Sequence, residues 1–264
     1  MTRVWPLPFA APAQNRRRLC PLIMVGDPDL ATTVALLDHC VTLGIDLVEL
    51  CLPFPNAFTD GATLRRAHAR GLASGAGLTD ALRLVADYAG RIDMILLADA
   101  SHTLRPAGFD AVCAAAATAG AAGILPHGLP PRMADEFARA ARAANLPVVG
   151  TLYAGGTDEL RQAAAARATA FVYLVSAYGR SGGAMAALPP GPEIAALRQV
   201  TAQPIALGFG LKTAADVAAA FAEGADIAIV GSALSDAVEQ GLGQPDPLAP
   251  ARALLATLSQ EATS

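Results

Sequence analysis

The stretch LVELCLPFPNAFTDG, residues 47–61, begins as an apolar run typical of a buried strand and continues into a loop rich in proline and glycine. One carboxylate, Glu49, interrupts the apolar run, and a second, Asp60, follows eleven residues later in the loop. Burying an acidic side chain in a core strand is costly unless it is partnered. We therefore expect Glu49 to have a specific role.

This strand is one of eight apolar runs in the chain, and each run is followed by a predicted helix. The runs cover residues 21–25, 45–52, 92–98, 122–126, 147–153, 170–176, 204–210 and 227–231. The helices are predicted to begin near Asp29, Thr63, Phe109, Arg132, Asp158, Pro192, Thr213 and Ala233, with a last one near Pro247. The runs are continuous rather than alternating, which is typical of parallel strands buried on both faces.

Eight strand–helix units in succession predict an α/β fold, a (β/α)8 TIM barrel. We expect one domain over residues 1–264, in which residues 1–8 form an N-terminal extension. A doubly wound open sheet is the structural alternative.

The composition favours a protein with a large core and a small-molecule partner. Hydrophobic residues make up 53% of the chain and charged residues 16%. The net charge of −4 argues against nucleic acid or an anionic membrane as a partner. The four cysteines are widely spaced, so we expect buried free thiols, with neither disulfides nor a metal site. The N-terminus has its basic cluster after its apolar part, the reverse of a secretory signal, so a cytoplasmic protein is predicted.

Glycine-rich segments follow predicted strands 6, 7 and 8, at the barrel face where active sites of this fold lie. They read SAYGRSGG (176–183), GFGLKT (208–213) and GSALSD (231–236). Their glycines let backbone N–H groups approach an anion, and Ser232 opens a short helix whose N-terminus favours a phosphate. The glycines that carry this prediction are Gly179, Gly182, Gly183, Gly208, Gly210 and Gly231. Alternatively, the glycines only form turns, and Lys212 either helps to hold the anion or is solvent-exposed.

Two carboxylates are predicted at the same mouth of the barrel. Alternate residues of strand 2 point inward, so Glu49 can lie against an apolar wall that raises its pKa and suits it to proton transfer. Asp60, on a loop over this mouth, could share acid and base duties with it. Alternatively, Glu49 pairs with a polar partner in the barrel and Asp60 caps the helix near Thr63. Tyr173, in strand 6, either reaches a substrate or fills a layer of the barrel.

Taken in order, these segments resemble the alpha subunit of tryptophan synthase from about Phe9 to Glu239. The resemblance rests on GDPD (26–29), ELCLPFPNAFTDG (49–61), LPP (129–131), FVYLVSAYGRSGG (171–183), AALP (186–189), LGFGLKT (207–213) and IVGSAL (229–234). It implies retro-aldol cleavage of indole-3-glycerol phosphate to indole and glyceraldehyde 3-phosphate, with no cofactor and no metal.

The resemblance also implies roles for individual residues. Glu49 matches the proton donor at indole C3, Asp60 matches the aspartate that contacts the indole N–H, and Tyr173 matches an active-site tyrosine. Phosphate-binding positions of the family are matched by Gly182, Gly210, Gly231 and Ser232. Ser181 stands where the family has the threonine of its closing loop.

The chain departs from the family pattern in its second and third loops. Residues 55–57 read PNA where the family has SDP, and residues 98–106 (ADASHTLRP) lack its YYNP segment. These loops ordinarily dock a beta subunit and wall the indole pocket, so docking is doubtful here. The open alternatives are a stand-alone lyase, a docking alpha subunit, an aldolase on a non-indole substrate contacted by His102 and His127, and a non-catalytic ligand-binding or regulatory relative.

Overall fold

The computed structural model describes residues 17–175, 190–208 and 210–263, which form a sheet of eight parallel strands. The strands are β1 (Arg18–Met24), β2 (Leu47–Cys51), β3 (Asp93–Asp99), β4 (Gly123–His127), β5 (Gly150–Tyr153), β6 (Val172–Val175), β7 (Ile205–Gly208) and β8 (Ile227–Val230). Their order is β4-β3-β2-β1-β8-β7-β6-β5. A single parallel bridge between Ile124 and Val148 joins the β4 side to the β5 side and nearly closes the barrel. The predicted (β/α)8 barrel is confirmed, and the open sheet is not found.

Helices follow the strands in the predicted order. They are α1 (Leu30–Thr42), α2 (Ala62–Ala73), α3 (Leu78–Tyr88), α4 (Arg105–Ala107), α5 (Phe109–Ala119), α6 (Ala134–Ala143), α7 (Asp158–Arg167), α8 (Gly191–Arg198), α9 (Ala214–Ala222), α10 (Ser232–Gly241) and α11 (Ala249–Thr263). The nine predicted helix starts lie within two residues of observed ones. Four features were missed: the break between α2 and α3, a π-helical turn at Ala100–Leu104, the short helix α4 and a 3₁₀ turn at Pro131–Met133. Gly75, with φ +79°, lies in the segment that separates α2 from α3.

The side chains of strand β2 point alternately into the barrel and toward the surrounding helices. Val48 and Leu50 belong to the outer hydrophobic layer that packs against the helices. Leu47 and Cys51 belong to the inner cluster. Because side chains alternate along a strand, Glu49 points into the barrel with Leu47 and Cys51. The predicted inward orientation of Glu49 is thus the one that the fold produces.

Other sequence predictions are answered in part. All four cysteines are buried. Within the part of the chain that the structure describes, no helix is long and apolar enough to cross a bilayer. The single-domain organisation stays a prediction, and the proposed extension at residues 1–8 lies outside the described residues.

Candidate active site

Glu49 is a fully buried acid in the middle of an apolar strand. It pairs in register with Leu22 of β1 and Ile95 of β3, and its side chain is 0% exposed. Neither carboxylate oxygen has a hydrogen-bond partner among the described residues. Burial, and secondarily the charge of Asp60, raises the pKa of Glu49 to about 8. The side chain is therefore a carboxylic acid at neutral pH, and the alternative of a polar partner for it is not observed in this part of the chain.

A pocket opens at the C-terminal mouth of strands β1 to β4. It is lined by Leu22, Met24, Cys51, Phe54, Asp60, Leu64, His68, Leu97 and His127. Leu22 is the register neighbour of Glu49, and Cys51 lies two residues further along the same face of β2. Glu49 is therefore a neighbour of two lining residues without lining the pocket itself, while Asp60 forms part of the pocket wall. Walls that are mostly apolar, with a few polar groups, are typical of a small-molecule site.

Asp60 is held by a histidine that the sequence analysis did not single out. Its Oδ2 lies 3.0 Å from Nε2 of His68, a residue of α2 whose side chain is only 3% exposed. The N-cap of α2 is Gly61, so the alternative role of Asp60 as the helix cap is wrong. The side chain of Asp60 is 17% exposed and lines the pocket, so it is accessible to a ligand there.

Three histidine rings surround Phe54 at this mouth. The ring centroid of Phe54 lies 4.3 Å from that of His68, 5.4 Å from that of His127 and 6.1 Å from that of His102. His127 ends β4 and lines the pocket, so it is placed to touch a ligand. His102 is instead bonded through Nδ1 to Oδ1 of Asp99 at 2.7 Å. The same Asp99 oxygen accepts the N–H of His102 and caps the π-helical turn at Ala100–Leu104.

Tyr173 lies on β6 and packs against the inner hydrophobic cluster. Burial raises its pKa well above the usual value, and the negative charge that Glu49 carries when ionised raises it further. A Cβ atom at Gly208 would lie 2.4 Å from the Tyr173 hydroxyl oxygen. Gly208, which the sequence predicts to bind phosphate, is a steric requirement at this position, because only glycine leaves room for this ring.

The described part of the predicted phosphate site lies where neighbouring strands β7 and β8 end. Gly210 has φ +91°, a conformation that glycine adopts without strain. Gly231 is the N-cap of α10, which begins at Ser232 and has no side-chain cap. In α9, by contrast, the Thr213 side chain caps the first turn. With respect to the described residues, the first N–H groups of α10 are thus available to an anion.

The other predicted phosphate residues, Gly179, Ser181, Gly182 and Gly183, lie outside the described residues. Lys212, whose role the sequence left open, has an exposed side chain, and its backbone N–H donates to Asp216 Oδ2 at 2.9 Å. Among the described residues, no group of three or more His, Cys, Asp or Glu side chains is arranged to bind a metal ion.

A pattern in α2 could have revealed His68 from the sequence. Leu64, Ala67, His68 and Gly71 follow the spacing of one helical face, and that face turns toward the barrel. A histidine in such an apolar row is a polar group that must find a partner in the protein. Asp60 lies close by in the sequence, just before the helix begins.

Comparison with known proteins agrees with this geometry. The sequence model of the family described as "Tryptophan synthase alpha chain" matches residues 9–261. The tryptophan synthase alpha chain of Caulobacter sp. (strain K31) is 41% identical over 236 residues, which cover 88% of this chain and 85% of that protein. The corresponding protein of Laribacter hongkongensis is 35% identical over 257 residues and 95% of each chain.

Solved structures show the same likeness. A mutant tryptophan synthase alpha-subunit from Pyrococcus furiosus superposes with a TM-score of 0.81 at 27% identity, over 91% of this chain and 97% of that chain. The α2β2 complex of tryptophan synthase from the same organism provides a match with a TM-score of 0.79 at 26% identity, with the same coverage. The predicted resemblance is confirmed, and the chain belongs to the tryptophan synthase alpha chain family, a family of carbon–carbon lyases.

Proposed function

We propose that Glu49 and Asp60 carry out the retro-aldol cleavage of indole-3-glycerol phosphate to indole and glyceraldehyde 3-phosphate. The observation that carries the proposal is the state of Glu49, a buried carboxylic acid with a pKa raised to about 8, next to residues that line a mostly apolar pocket. A purely structural residue at this position would not need an ionisable group whose oxygens have no partner among the described residues. For the same reason we disfavour a non-catalytic relative.

The reaction requires a proton at indole C3, the carbon that bears the glycerol chain. The neutral acid of Glu49 delivers that proton, and the ring becomes an indolenine with positive charge on its nitrogen. The bond from C3 to the glycerol chain then breaks, and its electron pair restores the indole. The Glu49 carboxylate takes the hydroxyl proton as the aldehyde forms, so the acid is regenerated without a cofactor or a metal.

Asp60 and the glycine-rich strand ends deal with the two polar ends of the substrate. The Asp60 carboxylate faces the ring nitrogen and stabilises the positive charge that spreads onto it in the transition state. The phosphate is bound by backbone N–H groups near Gly210 and by those that follow Gly231 at the start of α10. Ser181 and Gly182 are proposed to complete that phosphate site, and Tyr173 to contact the substrate from the far side of the barrel.

The test is direct: the purified protein alone is incubated with indole-3-glycerol phosphate, and indole is measured. We expect the wild type to release indole and E49Q to release none. D60N should lose most of the activity, but less than E49Q. The control is E136Q, which changes an exposed glutamate of α6 in the same way. Absence of indole with the wild type, or full activity of E49Q, would contradict the proposal.

We further propose that the chain works without a standard beta subunit. The second loop carries Pro55 and Asn56 in place of the family's Ser-Asp pair, and Asn56 adopts the left-handed conformation with φ +59°. The acidic contact of that loop is thereby lost. Phe58, 81% exposed, is the large apolar side chain that the loop presents to any partner. A partner would have to recognise a different surface from the one that the family motif encodes.

A second candidate is an aldolase that acts on a phosphorylated substrate without an indole ring. It is favoured by His127, a polar group on the pocket wall. The pocket walls formed by Leu22, Met24 and Leu97 argue for an aromatic ring instead. The same assay separates the two, since a non-indole enzyme releases glyceraldehyde 3-phosphate from another substrate and no indole from this one.

A further inference from the structure

We propose that His68 is a positioning residue that orients Asp60 in the pocket and keeps its negative charge available for the reaction. The inference rests on the proposed role of Asp60 opposite the ring nitrogen. It concerns a side chain in the second turn of α2, outside the set of residues predicted from the sequence. It is carried by two hydrogen bonds, one on each nitrogen of the same buried ring.

The first hydrogen bond fixes which nitrogen of His68 carries the proton. The backbone N–H of Phe54 points at Nδ1 of His68 at 3.1 Å, so Nδ1 must be the acceptor. The proton of the neutral ring is then on Nε2, which lies 3.0 Å from Oδ2 of Asp60. The ring is the Nε2–H tautomer, assigned from its partners.

The second hydrogen bond restrains the Asp60 carboxylate. With Oδ2 occupied by His68, rotation about the last bond of the side chain is limited, and Oδ1 is left for the ring N–H of a substrate. Functional carboxylates are usually kept in one geometry by a buried hydrogen-bond donor that is itself fixed by another hydrogen bond. Here the donor is His68, and the backbone N–H of Phe54 fixes it.

The charge of the pair follows from the tautomer. A protonated histidine would give up the hydrogen bond from Phe54 and would neutralise Asp60. Because Nδ1 accepts from the backbone, the pair of Asp60 and neutral His68 keeps a net charge of −1. This is the charge that a developing cation on the ring nitrogen requires. Phe54 N–H, His68 and Asp60 thus form one chain of hydrogen bonds that ends at the pocket.

Two substitutions at His68 separate the two hydrogen bonds. In H68Q, the amide nitrogen lies near the position of Nε2 and can still donate to Asp60. In H68N, the amide oxygen lies near the position of Nδ1 and can accept from Phe54, but nothing reaches Asp60. We expect kcat of H68N to fall about tenfold with little change in KM. H68Q should retain a kcat at least about fivefold above that of H68N.

A merely structural role gives the opposite order, because H68N keeps the bond that holds the loop at Phe54. Equal loss in both variants, or H68N better than H68Q, would therefore overturn the proposal. Urea unfolding of both variants shows whether folding is intact. The same pair of changes at His39, whose Nε2 lies near the Arg252 carbonyl oxygen on the outside of the barrel, is the matched control and should show no such order.

Two further measurements test the positioning role of His68 separately from the proposed retro-aldol reaction. In a double-mutant cycle, H68N should have almost no effect on kcat in the D60N background, because His68 acts through Asp60. A further tenfold loss of kcat when H68N is added to D60N would show that His68 acts independently of Asp60. Nitrogen-15 NMR of the His68 ring, which needs no turnover, should report the Nε2–H tautomer. If the wild type does not release indole but the tautomer is as expected, the proposed reaction fails, whereas a proton on Nδ1 refutes the hydrogen-bond chain itself.

Discussion

Replacing Glu49 with glutamine should remove a pH dependence of stability that the buried acid imposes on the wild type. The folded-state pKa of Glu49 is raised from 4.5 to about 8, chiefly by burial. Between these values the folded protein holds a proton that the unfolded chain has released. The free energy of unfolding attributable to Glu49 is therefore complete below about pH 4.5, decreases as pH rises, and is exhausted above about pH 8.

The size of this effect follows from the shift. Each pH unit inside the window lowers the free energy of unfolding by about 1.4 kcal/mol. From pH 5 to pH 8 the wild type should thus lose ~4 kcal/mol relative to E49Q. Other titrating groups are common to both proteins and cancel in the difference. The buried amide introduced in E49Q has a cost of its own, which shifts the difference in free energy of unfolding between the two proteins by a constant amount. The test is therefore how this difference changes with pH, and its absolute size is not informative.

Urea denaturation followed by circular dichroism at several pH values measures this difference. E136Q, the same substitution at an exposed glutamate of α6, is the control. A difference between wild type and E49Q that stays constant from pH 5 to pH 8 would show that Glu49 is ionised in the folded protein. The reasoning about a buried neutral acid would then be wrong.

Three further predictions follow from particular contacts. G208A should push the Tyr173 ring out of place and lower kcat/KM for indole release about tenfold or more, while G77A, where a Cβ meets nothing within 4 Å, should not. G231F should weaken binding of inorganic phosphate and of glyceraldehyde 3-phosphate by similar factors in calorimetry, and a loss for only one of them would argue against a shared anion site. Titration with a standard beta subunit, followed by light scattering, should give no complex and no rise in rate; a complex that forms at micromolar concentration and is lost in F58A would show that the loop still docks.

The barrel could be predicted from the sequence because its strands and helices are marked locally. Continuous apolar runs specify strands buried on both faces, and glycine marks several helix ends, as at Gly120 with φ +91°. The π-helical turn at residues 100–104 could not be predicted in the same way. It depends on the Asp99 carboxylate, which caps the turn from the end of β3 and also binds His102.

Part of the candidate site could likewise be predicted, and the limit has a physical cause. Glu49 stands out because an acid in a core strand breaks a local rule. His68 does not stand out in this way, since its role depends on two partners that only the folded chain brings to its ring. Gly208 was predicted as a phosphate-binding residue, but its packing against Tyr173 arises between two neighbouring strands and has no local signal.

The most direct measurement of the central claim is the pH dependence of kcat/KM for indole release from indole-3-glycerol phosphate by the protein alone. This quantity reports the ionisation of the free enzyme, the state in which Glu49 has a pKa of about 8. If the neutral acid of Glu49 protonates indole C3, kcat/KM should decrease about tenfold per pH unit above about pH 8, and E49Q should be inactive throughout. A kcat/KM that stays level or rises through pH 8 to 10 would contradict the account.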